Sequence, residues 1–234
     1  MAPDERRRQW AFVAASALAG ALAVPLHPVA TLVSVAIAGL TSFFGLWLWR
    51  WSGLRQLLRS TEPSAGWSTL RVVALVALGL AVGLLLLAVI RIAIEPALPS
   101  IGARIATAGA LPIWRRILVI YVAAVGEELI FRLVIMSVIA GVVARLIRSP
   151  GGAPSPAVLW TSIAVSALAF SAAHLPSWSG VDAPGPFLAM SVVALNAVGA
   201  FVLGYVFATR GIVAAMLVHS GADCAIQLIG PLTG

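Results

Sequence analysis

Seven apolar runs of roughly 17–29 residues dominate the sequence, near 10–26, 29–51, 69–94, 113–141, 157–174, 186–208 and 212–229. A helix rises about 1.5 Å per residue, so most of these runs span a hydrocarbon layer about 30 Å thick. Only 10% of the residues are charged and 61% are hydrophobic, whereas a soluble domain carries roughly 25% charge. The expectation is an all-α protein: a polytopic membrane helix bundle of about seven transmembrane helices. It reads as one integrated membrane domain, with N-terminal transmembrane helices and a connector over 1–112 and a helix core over 113–230.

The breaks between the runs carry the usual punctuation. Pro25-Leu26-His27-Pro28 makes a turn, with His27 an interfacial turn residue. A polar loop follows over 52–68, and the connector 95–112 is interrupted by Pro96, Pro99, Gly102 and Pro112. Further turns surround Gly151-Gly152 and Thr209-Arg210-Gly211. Arg6-Arg7-Arg8 ahead of the first run also fits a cleavable signal peptide, but the tight turn into a second run favours a retained hairpin. All eight tryptophans lie at or near span ends, as in an interfacial belt.

The net charge of +7 comes from arginine alone, because the chain has no lysine. These arginines gather at the ends of the apolar runs, the pattern that sets membrane orientation, which argues against a nucleic-acid partner. The expected partner from this pattern is membrane lipid. A single cysteine, Cys224, excludes an internal disulfide and a cysteine-based zinc cluster.

The fourth run contains Gly126-Glu127-Glu128-Leu129-Ile130-Phe131-Arg132. A charge at bilayer depth costs about 2.5–3.5 kcal/mol on insertion scales, so three together need a partner or a purpose. On a helix Glu128 and Arg132 stand at i and i+4 with the acid first, the better order for an ion pair. Glu127 is turned roughly 100° away. Glu128 is therefore expected to be held by Arg132, leaving Glu127 free for chemistry.

Two further clusters lie on other runs: Phe170 and His174 at the end of the fifth, and His219 with Asp223, again i and i+4, on the seventh. Intramembrane acids and histidines normally face a bundle interior or a wet cavity. Together they offer a base and polar partners for water activation. No His-Glu-x-x-His or Gly-x-Ser-x-Gly motif is present. A proton-coupled transporter would also use such residues, but no matching, Gly/Pro-broken halves occur. A catalytically silent peptide-binding membrane protein is the other alternative.

Glu-Glu-x-x-x-Arg, then Phe-x-x-x-His, then His-x-x-x-Asp, in that order on the fourth, fifth and seventh spans, resembles the CPBP family of intramembrane proteases. That family includes the type II CAAX prenyl endopeptidases and bacteriocin-processing proteins. The resemblance covers roughly 113–229 and implies an intramembrane endopeptidase in a membrane, expected to be bacterial. It implies that Glu127 and His174 activate water and that His219 and Asp223 stabilise the oxyanion. Glu128, Arg132 and Phe170 would support the site. Asp223 stands where many members have asparagine, and an ionised aspartate cannot donate a hydrogen bond. It would instead orient His219 or bind a metal. Leu133 replaces a glycine often found after the arginine. His174, His219 and Glu127 would also hold zinc with one open position, while a metal-free glutamate protease uses the same residues. The expected substrate is a membrane-associated peptide or protein, ranked ahead of a lipidated (prenylated CAAX) protein.

Overall fold

The computed structural model describes residues 3–23, 28–55, 68–147, 154–178 and 185–233. The His27 turn, most of the 52–68 loop and the loop around 148–152 lie outside the described residues. Helices α1 (Pro3–Ala23) and α2 (Pro28–Trp51) form the N-terminal hairpin. Then come α3 (Thr69–Val89), α4 (Pro99–Ala108), α5 (Ile113–Glu128), α6 (Ser137–Leu146), α7 (Pro156–Trp178), α8 (Pro186–Arg210) and α9 (Ile212–Cys224). No strand occurs among the described residues.

Among the described residues, six helical stretches are long and apolar enough to cross a membrane: 28–51, 69–94, 113–146, 156–178, 186–210 and 212–232. The apolar part of α1 within the described residues is the shorter Gln9–Ala23, preceded by Arg6 to Arg8 in its early turns. The connector 95–112 contains an unexpected helix, α4. Pro99 at its first position is what allows it to start, since proline costs nothing where no intrahelical N–H bond is due. It buries Ile101 and Ile105 against Leu87, Ile94, Leu188 and Val192 and leaves Ala103, Ala106 and Thr107 exposed. At about 1.5 Å per residue α4 is far too short to span a bilayer.

Leu32, Ile37 and Leu40 on α2, like Leu70 and Leu85 on α3, are exposed on the outside of the bundle. Such a surface is stable only against lipid tails. Inside, Leu129, Leu133, Met136, Ile163, Phe207 and Val218 form the main core.

Three helices widen into π turns: Ile90–Ile94 after α3, Leu129–Met136 between α5 and α6, and Ala225–Ile229 after α9. A π turn disturbs the backbone ladder, and in lipid a loosened carbonyl needs another donor. Side chains supply it. Ser166 Oγ donates to Phe131 O at 2.6 Å, and Arg116 donates to the carbonyls of Gln227 and Leu228. One of these segments begins directly after an acid, Glu128, and another begins two residues past Asp223.

Helices α3 and α9 touch backbone to backbone. A Cβ built at Gly79 or Gly83 would fall onto the carbonyl oxygen of Val218 or Ala222, and one at Gly221 onto that of Val76. Small residues at such crossings replace the hydrophobic drive that lipid removes. The contact fixes the height of His219 and Asp223 against the bundle. Gly221→Ala should therefore lower stability by about 1–3 kcal/mol through overpacking. Gly39→Ala, where a Cβ meets nothing within 4 Å, should be neutral or stabilise by up to about 1 kcal/mol. Thermal unfolding of the two detergent-solubilised variants compares them directly; equal effects would refute the close-contact account.

Candidate active site

Every residue singled out on the three motif-bearing spans meets at one place. Glu128, Arg132 and the side of His219 facing them form its sealed half. Both charged side chains are fully buried, with Arg132 Nε 3.4 Å from Glu128 Oε2. This is a charge pair at longer than hydrogen-bond range. Arg132 Nη1 also reaches Ser166 Oγ at 3.4 Å, and Arg132 Cζ lies 5.2 Å from the centre of the Phe170 ring. The other oxygen of Glu128, Oε1, accepts from His219 Nδ1 at 3.0 Å. Glu128 thus ties α5, α9 and the following π segment together, an arrangement that helix periodicity alone does not reveal.

The open half holds the remaining groups. Glu127 is 31% exposed, His174 27% and Asp223 24%. His174 Nδ1 donates to Phe170 O at 2.8 Å, since a carbonyl can only accept. His219 Nδ1 is likewise committed, to Glu128. Both histidines therefore present Nε2 to the same space. Glu127 Oε2 lies 3.6 Å from His219 Nε2 and 3.9 Å from His174 Nε2, and Asp223 Oδ2 lies 3.8 Å from His219 Nε2. Fixing one ring nitrogen so that the other can work is the usual way a protein orients an imidazole.

Phe170 is the aromatic hub. Its ring packs at 4.5 Å on His174, edge-on at 5.1 Å to Phe131 and at 6.1 Å to His219. Pro176 in the last turn of α7 and the Ser177 hydroxyl, which donates to His174 O at 2.7 Å, shape the helix end behind His174. Ser220 is spent on Met216 O and plays no part as a nucleophile.

His174, His219 and Asp223 line a cavity of about 350 Å³ between α3, α4, α7, α8 and α9. Its wall also carries Arg104, Asn196 and Trp178, to which sequence reasoning gave no role. The missing signal was tertiary: α4 and α8 bear no motif, and only the packing turns these side chains inward. Both α3 and α4 precede residue 113, so the N-terminal region walls the cavity too.

Among the described residues no group of three His, Cys, Asp or Glu side chains is arranged to hold a metal ion. The separations of 3.6 to 3.9 Å exceed the roughly 3.3 Å that donors about 2.0–2.1 Å from a tetrahedral zinc would keep.

Breaking a buried ion pair by removing one partner leaves an uncompensated charge and typically costs about 3–5 kcal/mol. Arg132→Ala should show a loss of that size in equilibrium or thermal unfolding. The double variant Glu128→Gln/Arg132→Met removes both charges, keeps an acceptor for His219, and should recover most of it. A single variant as stable as the double would contradict the buried-charge account.

Comparison with curated proteins and with solved structures finds no match. Residues 109–225, half of the chain, match the family profile described as Type II CAAX prenyl endopeptidase Rce1-like. The matched stretch contains all seven residues of the site and its three motifs in order. A helical membrane bundle with these motifs at one cavity, matched over that length, belongs to the Rce1-like type II CAAX prenyl endopeptidase family, a family of membrane proteases.

Proposed function

We propose that the chain is a CAAX-type intramembrane endopeptidase in which Glu127 activates the attacking water. The observation that carries this reading is the unequal fate of two adjacent carboxylates. Glu128 is sealed between Arg132 and His219, while Glu127 stands open toward both Nε2 atoms. The gaps of 3.6 and 3.9 Å are too long for direct hydrogen bonds and suit a bridging water. In this scheme Glu127 takes the water's proton, and His174 Nε2, acceptor-only because Nδ1 carries the hydrogen, orients the nucleophile. Hydroxide attack on the scissile carbonyl then forms a tetrahedral oxyanion. His219, as an imidazolium neutralised by Glu128, donates Nε2–H to that oxyanion. Asp223 sits on the same nitrogen from the other side and steadies the imidazolium. Glu127 finally returns the proton to the leaving amine.

The family match supports ranking CAAX-type processing ahead of an unspecified membrane peptide, the reverse of the order expected from the sequence. The position of His174 and Asp223 on the wall of a cavity between helices, with Glu127 beside the two histidines, supports a substrate presented from the bilayer. A general base contributes about 10²–10⁴-fold, so Glu127→Gln should lower kcat by that factor in a folded protein. Asp223→Asn should stay within about tenfold of wild type, because its role is secondary and an amide can donate. Release of the C-terminal fragment from a farnesylated peptide, followed by mass spectrometry, measures both. Full activity in Glu127→Gln would overturn the assignment.

The same scheme runs on side chains alone. Purified protein should then cleave at an unchanged rate after chelation, with metal well below one equivalent by elemental analysis. Stoichiometric zinc, with activity lost on chelation and restored by zinc, would instead establish the zinc reading of His174, His219 and Glu127.

A further inference from the structure

The wall that α8 gives to the cavity carries an asparagine that the chemistry above does not use. Helices α7 and α8 pack side by side in opposite directions. Ala200 shares a cluster with Ala167 and Phe170, while Leu188 and Val192 share another with Leu175 and Trp178. Asn196 lies midway between Val192 and Ala200, as His174 lies midway between Phe170 and Trp178. The two therefore stand at the same height. Both line the 350 Å³ cavity together with His219 and Asp223. Arg104 lines it about a turn farther out, against Ser177 and Trp178.

Asn196 Nδ2 donates to Val192 O at 2.8 Å, one turn back on its own helix. A carbonyl only accepts, which fixes the amide nitrogen on that side, and a primary amide has two N–H donors. One N–H therefore remains after Val192 is served. The bond to the helix does not by itself call for an amide. Ser42, Ser162, Ser171 and Ser220 make the same bond to the carbonyl four residues back, at 2.6–2.9 Å. A serine is then spent, whereas an asparagine keeps a donor in reserve. The reacting groups beside it are rich in acceptors. Glu127 and Asp223 are carboxylates, and His174 offers Nε2 as an acceptor. The donor in the scheme, His219 Nε2–H, has carboxylate oxygens at 3.6 and 3.8 Å competing for it. A neutral amide adds a second hydrogen bond at that height without a further charge to neutralise. Donors set in place where charge develops are the strongest lever on such a reaction.

We propose that Asn196 is a further catalytic residue, whose second N–H donates to the oxyanion alongside His219 Nε2–H, so that α8 and α9 hold the tetrahedral intermediate between them. This rests on the endopeptidase reading and adds a residue to it. No proton moves at Asn196. As hydroxide adds to the scissile carbon, the carbonyl π pair becomes charge on oxygen, and the amide hydrogen bond shortens toward it. The proton taken from water stays on Glu127 until the amine leaves with it.

The test uses full-length protein in phosphatidylcholine nanodiscs. Asn196→Ser removes the spare donor and keeps the bond to Val192 O, as the serines of this bundle do. Asn196→Thr makes the same bond with a larger side chain and serves where the serine variant fails to fold. Cleavage of the farnesylated peptide should fall about 10²–10³-fold in kcat, the cost of one oxyanion donor, with KM within about threefold. Two uncleavable analogues of that peptide separate the transition state from the ground state. A phosphinate in place of the cleaved amide mimics the tetrahedral oxyanion, and a ketomethylene keeps a planar carbonyl. The phosphinate should lose affinity by about the same factor as kcat, while ketomethylene binding stays unchanged and reports an intact cavity. Unchanged kcat in a folded variant, equal weakening of the two analogues, or a fall in kcat with phosphinate binding intact would overturn the proposal and leave the endopeptidase reading standing. A wild type that neither cleaves the peptide nor prefers the phosphinate to the ketomethylene would refute that reading and this proposal with it.

Discussion

The buried Glu128 carboxylate is the constraint on which the rest of this bundle depends. A lone carboxylate at this depth is not tolerable, and its two oxygens are matched to two cationic or donor groups from different parts of the chain. Arg132 comes from the same helical stretch, four residues on. His219 comes from α9, 91 positions away. Satisfying one buried charge thus draws α5 and α9 together and decides which nitrogen of His219 is left for the cavity. The local backbone follows. The helix widens to a π turn from Leu129, and Ser166 of α7 answers the Phe131 carbonyl within it. A third helix is recruited to the same point.

Much of this was legible in the sequence because lipid simplifies the reading. Where water is excluded the backbone must be helical, so apolar run length alone sets the spans, and they agree with the helices to within a few residues. The Glu128–Arg132 pair was legible for the same reason: its spacing is local, and helix geometry supplies the angle. The close crossing at Gly79 and Gly83 is made by α9, a partner that local spacing does not name. The Glu128–His219 bond was not legible, because no periodicity links residues so far apart. The sequence reading left Asp223 either to orient His219 or to bind a metal; in the structure Glu128 holds Nδ1 and Asp223 faces Nε2.

Of the first run, near 10–26, the described residues include an apolar helix over Gln9–Ala23, and 24–26 lie outside them. The 95–112 connector was read as irregular because its prolines and glycine break any long pattern. Pro99 in fact begins a helix, and Gly102 is small because Glu95 lies against it. Short interfacial helices carry neither the length of a span nor a motif, so their contribution emerges only once the bundle gives them a surface to cover.

The division of labour between the two halves of the site then follows from burial. A charge sealed from water contributes by position, since moving it would expose an unmatched partner. A charge at the cavity edge can exchange protons with water and still feel the oriented groups behind it. Adjacent carboxylates on one helix cannot share an environment, because the turn of about 100° per residue sends them to different sides. Here one side is the packed interior and the other is the partly exposed space at the Nε2 atoms of His174 and His219. The Glu-Glu doublet is therefore a way to take a structural anchor and a reactive group from consecutive residues, with the rigidity of the first transmitted directly to the second. Any drift of α9 along α3 would separate His219 from both carboxylates at once. This is why the glycine contacts at positions 79, 83 and 221, distant from the chemistry in sequence terms, belong to the same device.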